Sequence, residues 1–243
     1  DLTLLGSTIA NNTSTELGGG LELGKFTTIT SSTIANNQSA VGGGIYSFNG
    51  TVLFLDQVTV SANTAANGGG GIINQDAEIH LESSIIAANT SPVGSPDLQS
   101  SGGTLTRSGA NIIGSNASVA TAFPSGTPNG NGDFVGSSAA PFDPALGSLA
   151  DNGGPTATMA LLSGSPAIDA ALVTIATPLS DQRGFPRLLG PGLDIGAFEA
   201  AVGNYSSNGV TLYGSASGSP NAEPLRFQIS SSRDFLQSVS TLA

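Results

Sequence analysis

The hexapeptide Ser7-Thr8-Ile9-Ala10-Asn11-Asn12 returns as Ser32-Thr33-Ile34-Ala35-Asn36-Asn37. Weaker copies follow as Val58-Thr59-Val60-Ser61-Ala62-Asn63 and Ser84-Ile85-Ile86-Ala87-Ala88-Asn89. The asparagines that end the copies, Asn12, Asn37, Asn63 and Asn89, are 25, 26 and 26 residues apart. Leu4, Ile29, Leu55 and Leu81 keep the same beat, and a degenerate copy follows at Ala110–Asn116. Glycine runs recur at 18–20, 42–44 and 68–71, each followed by an aliphatic residue.

Within a repeat the apolar period is two. Leu53 and Leu55, then Val58 and Val60, point inward, with Phe54 and Thr59 outward. A unit this short cannot bury its own apolar face, but stacked copies can. The spacing therefore predicts an all-β chain, a right-handed parallel β-helix with one coil per repeat. Leu4, Ile29, Leu55 and Leu81 form one inward ladder. Asn12, Asn37, Asn63 and Asn89 form a second at a turn, where asparagine tolerates the left-handed backbone and its amide can bond the next coil. The leucine-rich pattern and the calcium-binding nonapeptide are both absent from the repeats.

Regular coils are expected over 1–120. From about Pro92 the beat fades, and irregular coils with a closing region are expected over 121–199. Residues 200–243 read as a short β-rich tail or an assembly and anchoring segment. Asp1-Leu2-Thr3-Leu4 already lies in the strand pattern, so the chain reads as a processed or truncated piece with an uncapped first coil.

Composition narrows the function classes. The 243 residues carry 17 acidic and 6 basic side chains, a net charge of −11, with no cysteine and no tryptophan. The bases are scattered, so no stripe exists to neutralise phosphates, and nucleic acid is not expected as a partner. No apolar run is long enough for a membrane-spanning helix.

The second half carries an ordered series of short motifs. These are Phe142-Asp143-Pro144-Ala145-Leu146-Gly147, Asp151-Asn152-Gly153-Gly154-Pro155-Thr156 and Gly164-Ser165-Pro166-Ala167-Ile168-Asp169. Asp181-Gln182-Arg183-Gly184-Phe185-Pro186-Arg187 and Asp194-Ile195-Gly196-Ala197-Phe198-Glu199 complete it. The series resembles the carboxyl-terminal region of bacterial choice-of-anchor Q domain proteins, which are secreted, adhesin-like β-helix repeat proteins. The resemblance implies the fold and an extracellular or cell-surface address. It implies no ligand, because one fold hosts many functions.

Candidate chemistry is sparse. Glu78, His80 and Glu82 alternate on one strand and share an outer face, with Asp56 and Asp76 as further acids in the repeats. One histidine is weak evidence for a metal. Ser165 lies in no nucleophile elbow. Asp143, Asp151, Asp181 and Asp194 are the calcium candidates, since hard cations take loop carboxylates. No other cofactor is expected. Asp181, Arg183, Arg187, Asp194 and Glu199 read instead as an ion-pair and turn-amide network that closes the β-helix.

The reading that follows is a non-enzymatic extracellular structural or adhesive protein. It would self-associate head to tail into filaments and contact a cell surface or polysaccharide. The alternative is a carbohydrate-active enzyme or carbohydrate-binding module of the pectin-lyase-like β-helix type, with no catalytic residue assigned.

Overall fold

The computed structural model describes residues 1–172, 177–187 and 191–200, with two short strands, Val210–Thr211 and Arg226–Phe227. The chain divides into a unit over Asp1–Ala201 and another over Val202–Ala243. In the second, the two short strands pair antiparallel. The remainder of the expected assembly segment lies outside the described residues.

The first unit is a parallel β-solenoid built on three sheets. The first sheet stacks Leu2–Leu5, Phe26–Thr30, Val52–Asp56, Glu78–Glu82 and Thr104–Ser108. The second stacks Thr8–Ala10, Thr33–Ala35, Thr59–Ser61, Ile85–Ala87, Ile112–Ile113 and Phe134–Val135. The third stacks Leu21–Leu23, Ile45–Phe48, Ile72–Gln75 and Leu98–Ser100. Leu4, Ile29, Leu55 and Leu81 are successive register partners. Ile29, Leu55 and Leu81 are buried in the interior, and Leu4 is partly buried against it.

Left-handed residues make the corners. Between the first and second sheets stand Gly6, Ser31, Gln57, Ser83 and Gly109, with φ of 57°, 43°, 55°, 43° and 63°. After the second sheet stand Asn11, Asn36, Ala62 and Ala88, with φ of 60°, 57°, 57° and 58°. The left-handed position is thus one residue before the expected one. Asn12, Asn37, Asn63 and Asn89 leave that corner with their side chains free to bond between coils. Asn12 Nδ2 donates to Asn37 Oδ1 (3.0 Å), Asn37 to Asn63 (2.9 Å) and Asn63 to Asn89 (3.0 Å). The chain of amides ends on Asp97 Oδ1, 3.0 Å from Asn89 Nδ2. Asp97 suits a terminus because an ionised carboxylate only accepts. The glycine corner needs close backbone approach, since a Cβ on Gly43 would meet Gly70 O at 2.4 Å.

Beyond the fifth coil the interior is plugged by the chain itself. A turn over residues 117–122 brings Val119 and Phe123 into the core. Arg107 follows Leu81 in the inward column. Its guanidinium donates to Asp133 Oδ2 at 2.8 Å and to Ala122 O at 3.0 Å.

The described residues of 142–200 add no rung to the three sheets. They fold back as a second layer along the outer face of the second sheet. Its hairpin pairs Leu146–Ala150 antiparallel with Thr158–Leu161. Leu161, Ala167, Ala171, Leu193 and Ile195 form a separate core with Ile85, Ala87, Ala110 and Ile112. Polar contacts extend this seam to the lower coils. Gln182 Nε2 donates to Thr8 Oγ1 (2.8 Å), Gln182 Oε1 accepts from Thr33 Oγ1 (2.5 Å), and Thr59 Oγ1 accepts from Ala197 N (3.1 Å). The physical reason is that strands such as Ile85–Ala87 are apolar on both faces, so their outward side must also be covered.

Candidate functional site

The pleat of the first sheet presents alternate residues outward, and parallel register stacks them into columns. Thr28, Phe54, His80 and Thr106 make one column; Thr30, Asp56, Glu82 and Ser108 make the next. Phe26 flanks the first. Together they line a groove of about 510 Å³ on the outer face of the sheet.

The groove has an aromatic floor. The Phe54 and His80 rings are stacked, 4.3 Å between centroids and 5° between planes. The Phe26 and Phe54 centroids are 5.6 Å apart. His80 is held from both nitrogens, with Nε2 2.8 Å from Glu78 Oε1 and Nδ1 2.5 Å from Thr106 Oγ1. Those contacts lock the ring flat against Phe54. Glu78, His80 and Glu82 do share the outer face, but their roles differ: Glu78 orients the histidine and Glu82 belongs to the acid column. Asp76 sits exposed at a corner.

Asp56 and Glu82 are register partners on neighbouring strands, about 4.8 Å apart by strand spacing. Burial, and then the charge of Glu82, push the Asp56 carboxyl up to about 7, against the opposing pull of Arg187. Asp56 Oδ1 is out of solvent without a hydrogen-bond partner. Glu82 Oε2 accepts from Ser108 Oγ at 3.0 Å. Sequence reading alone does not single out Phe26, Phe54 and the two hydroxyl rows as a site. Their signal is the same beat of 26 residues, at the outward positions 28, 54, 80, 106 and 30, 56, 82, 108.

The closing network lies in the second layer, on the flank of the coils and not at their end. Asp181 Oδ2 accepts from Arg183 Nε (2.8 Å) and from the Glu199 amide (3.1 Å). The Arg183 guanidinium lies 3.6 Å over the Phe198 ring and 4.6 Å over Phe185. Arg187 is buried, donating to Gly196 O (2.8 Å) and to Ser31 Oγ (3.2 Å), with Glu199 Oε2 at 3.9 Å. Asp194 accepts the Asp169 amide at 2.8 Å, and burial raises its carboxyl above the usual carboxylate range. These groups tie the layer's main chain to itself and to the second coil.

The four calcium candidates are not gathered. Asp143 and Asp151 are exposed and bond the amides of their own turns, while Asp181 and Asp194 are taken up by the network. Among the described residues no group of three or more His, Asp or Glu could hold a metal ion. No helix among them is long and apolar enough to cross a membrane.

No family model, curated protein or solved structure matches the chain. The groove therefore has to be read from its own chemistry.

Proposed function

We propose that this chain is a non-enzymatic, extracellular adhesive protein that holds a carbohydrate chain along the outer face of its first sheet. The observation that carries the reading is the stacked pair Phe54–His80 with Phe26 beside it. Sugar rings present C–H faces that pack on aromatic rings, and the neighbouring hydroxyls and carboxylates bond sugar hydroxyls. Three rings from neighbouring strands, Phe26, Phe54 and His80, stand side by side, so the groove can meet more than one sugar unit of a chain. Its stacked rings and tied histidine are preorganised, which lowers the ordering cost of binding. The sequence resemblance to adhesin-like proteins supports the extracellular setting.

Affinity electrophoresis of the full chain through gels containing soluble polysaccharides tests the reading. At least one polysaccharide should retard the protein. Phe54→Ala should weaken that interaction about tenfold, the equivalent of one lost ring contact, with melting almost unchanged. Absence of retardation by neutral, acidic and basic polysaccharides alike would refute it.

The Asp56–Glu82 pair favours one second reading, hydrolysis of a glycosidic bond. A carboxyl that keeps its proton near neutrality can act as general acid beside an ionised partner. Release of reducing ends from a retarded polysaccharide, abolished in Asp56→Asn, would establish it in place of simple binding.

A further inference from the structure

The groove is lined by Asp56 and Glu82 and by one base, Arg107, which is paired with Asp133. Its outward positions on the first sheet carry Asp56, Glu78 and Glu82 and no lysine or arginine. Arg107 turns inward to Asp133, and Arg187, held by Gly196 and Ser31, only partly offsets the rise in the Asp56 carboxyl. Glu78 is engaged by His80, and Glu82 by Ser108. Asp56 keeps one buried oxygen without a partner. Two carboxyls on adjacent strands repel each other unless a proton or a cation stands between them. A uronic polymer would add a third negative charge to this place. A neutral polymer would leave the repulsion as it is.

We propose that the occupant of the groove is a polymer of amino sugars carrying free ammonium groups, its rings lying on Phe54 and His80 and its ammonium groups meeting Asp56 and Glu82. The inference rests on the carbohydrate reading above and adds the class of sugar. An ammonium donates three hydrogen bonds, and its charge favours the ionised, accepting form of both carboxyls.

Calorimetric titration of the full chain distinguishes the cases with three probes. These are a fully deacetylated glucosamine oligomer, its N-acetylated counterpart of equal length, and an oligogalacturonate with and without calcium. The deacetylated oligomer should bind at least tenfold more tightly than the acetylated one, and added salt should erode the difference. The double variant Asp56→Asn/Glu82→Gln, confirmed folded by its melting curve, should bring the two to parity, while Phe54→Ala weakens both. Should that variant fail to fold, the salt series and the acetylation contrast decide the matter alone. Equal affinity for both glucosamine oligomers, or preference for the galacturonate in either condition, overturns the amino-sugar assignment and leaves the carbohydrate reading standing. No binding of any oligomer removes both.

Discussion

The guanidinium of Arg107 lies 2.8 Å from Asp133 Oδ2, and the Asp133 side chain is fully out of solvent. Arg107 occupies the step of the inward column that follows Leu81. The solenoid thus ends its apolar ladder with a cation, and an aspartate from the last turn covers it. Asp133 also accepts from Asn111, ending a second inner polar column that runs up from Ser84.

Arg107→Leu should be more damaging than its apolar size suggests. It extends the leucine ladder but leaves a buried carboxylate without its base, at a cost of about 3 kcal/mol. Arg107→Leu/Asp133→Asn should recover part of that loss, because the amide keeps its acceptor for Asn111. Urea unfolding of the two variants checks this; a single variant as stable as the parent would contradict it.

Position along the inner ladder should govern cost. Leu55 is 1% exposed at mid-column, whereas Leu5 points outward at 69%. Leu55→Ala should lose about 2–5 kcal/mol through the cavity it leaves. Leu5→Ala should change stability by less than about 0.5 kcal/mol. Equal midpoints in denaturant for both variants would show that this register is wrong.

The asparagine ladder should show the same gradient. Asn63 Nδ2 bonds Ile34 O, Ser61 O and Asn89 Oδ1, and its Oδ1 accepts from Asn37. Asn63→Leu orphans several buried groups and should cost about 3–5 kcal/mol. Asn12 is exposed, and its loss leaves Asn37 Oδ1 still bonded by the residue-12 amide. Asn12→Leu should cost under about 1 kcal/mol. Amide hydrogen exchange around residues 34–37 should rise in the first variant and hold steady in the second.

Stability should fall between about pH 4 and pH 7. Burial raises the carboxyls of Asp56 and Asp97 from 3.8 to about 7 and about 6. The folded chain therefore keeps protons that the unfolded chain releases near pH 4. That contribution is complete below about pH 4 and is lost as the pH climbs through 6 and then 7. For Asp97 the loss is on the order of 2 kcal/mol; for Asp56, partly exposed and screened, it is smaller. A melting temperature that rises steadily over this interval would contradict that sign. Asp56→Asn should flatten the upper part of the fall.

Much of the solenoid is legible in the sequence because one beat governs both burial and turns. Leu4 to Leu81 and Asn12 to Asn89 can be aligned by counting. The groove follows the same count, but its residues differ in type from coil to coil, from Thr28 to Phe54 to His80. Only the register shows that they share a column. Arg107 carries a signal as well, since it falls 26 residues after Leu81 where another aliphatic is due. The second layer is hidden for a different reason. Its motifs have no period, and its core exists only where Leu161, Ile195 and their neighbours meet Ile85 and Ile112. The one local hint is the unbroken apolar run Ile85-Ile86-Ala87, which marks a strand covered on both sides.

The layer over residues 142–200 reaches Thr8, Thr33, Thr59 and Ile85, one place in each of four successive coils. Most solenoids tolerate gain or loss of a repeat because each unit meets only its neighbours. Here a duplicated or deleted coil would slide every later coil past its mark on the flank, leaving Gln182 or Ala197 facing the wrong rung. The seam is in effect a tally stick that counts the windings. Evolution could lengthen this protein only by recutting both pieces together, and heat should melt the four coils as one.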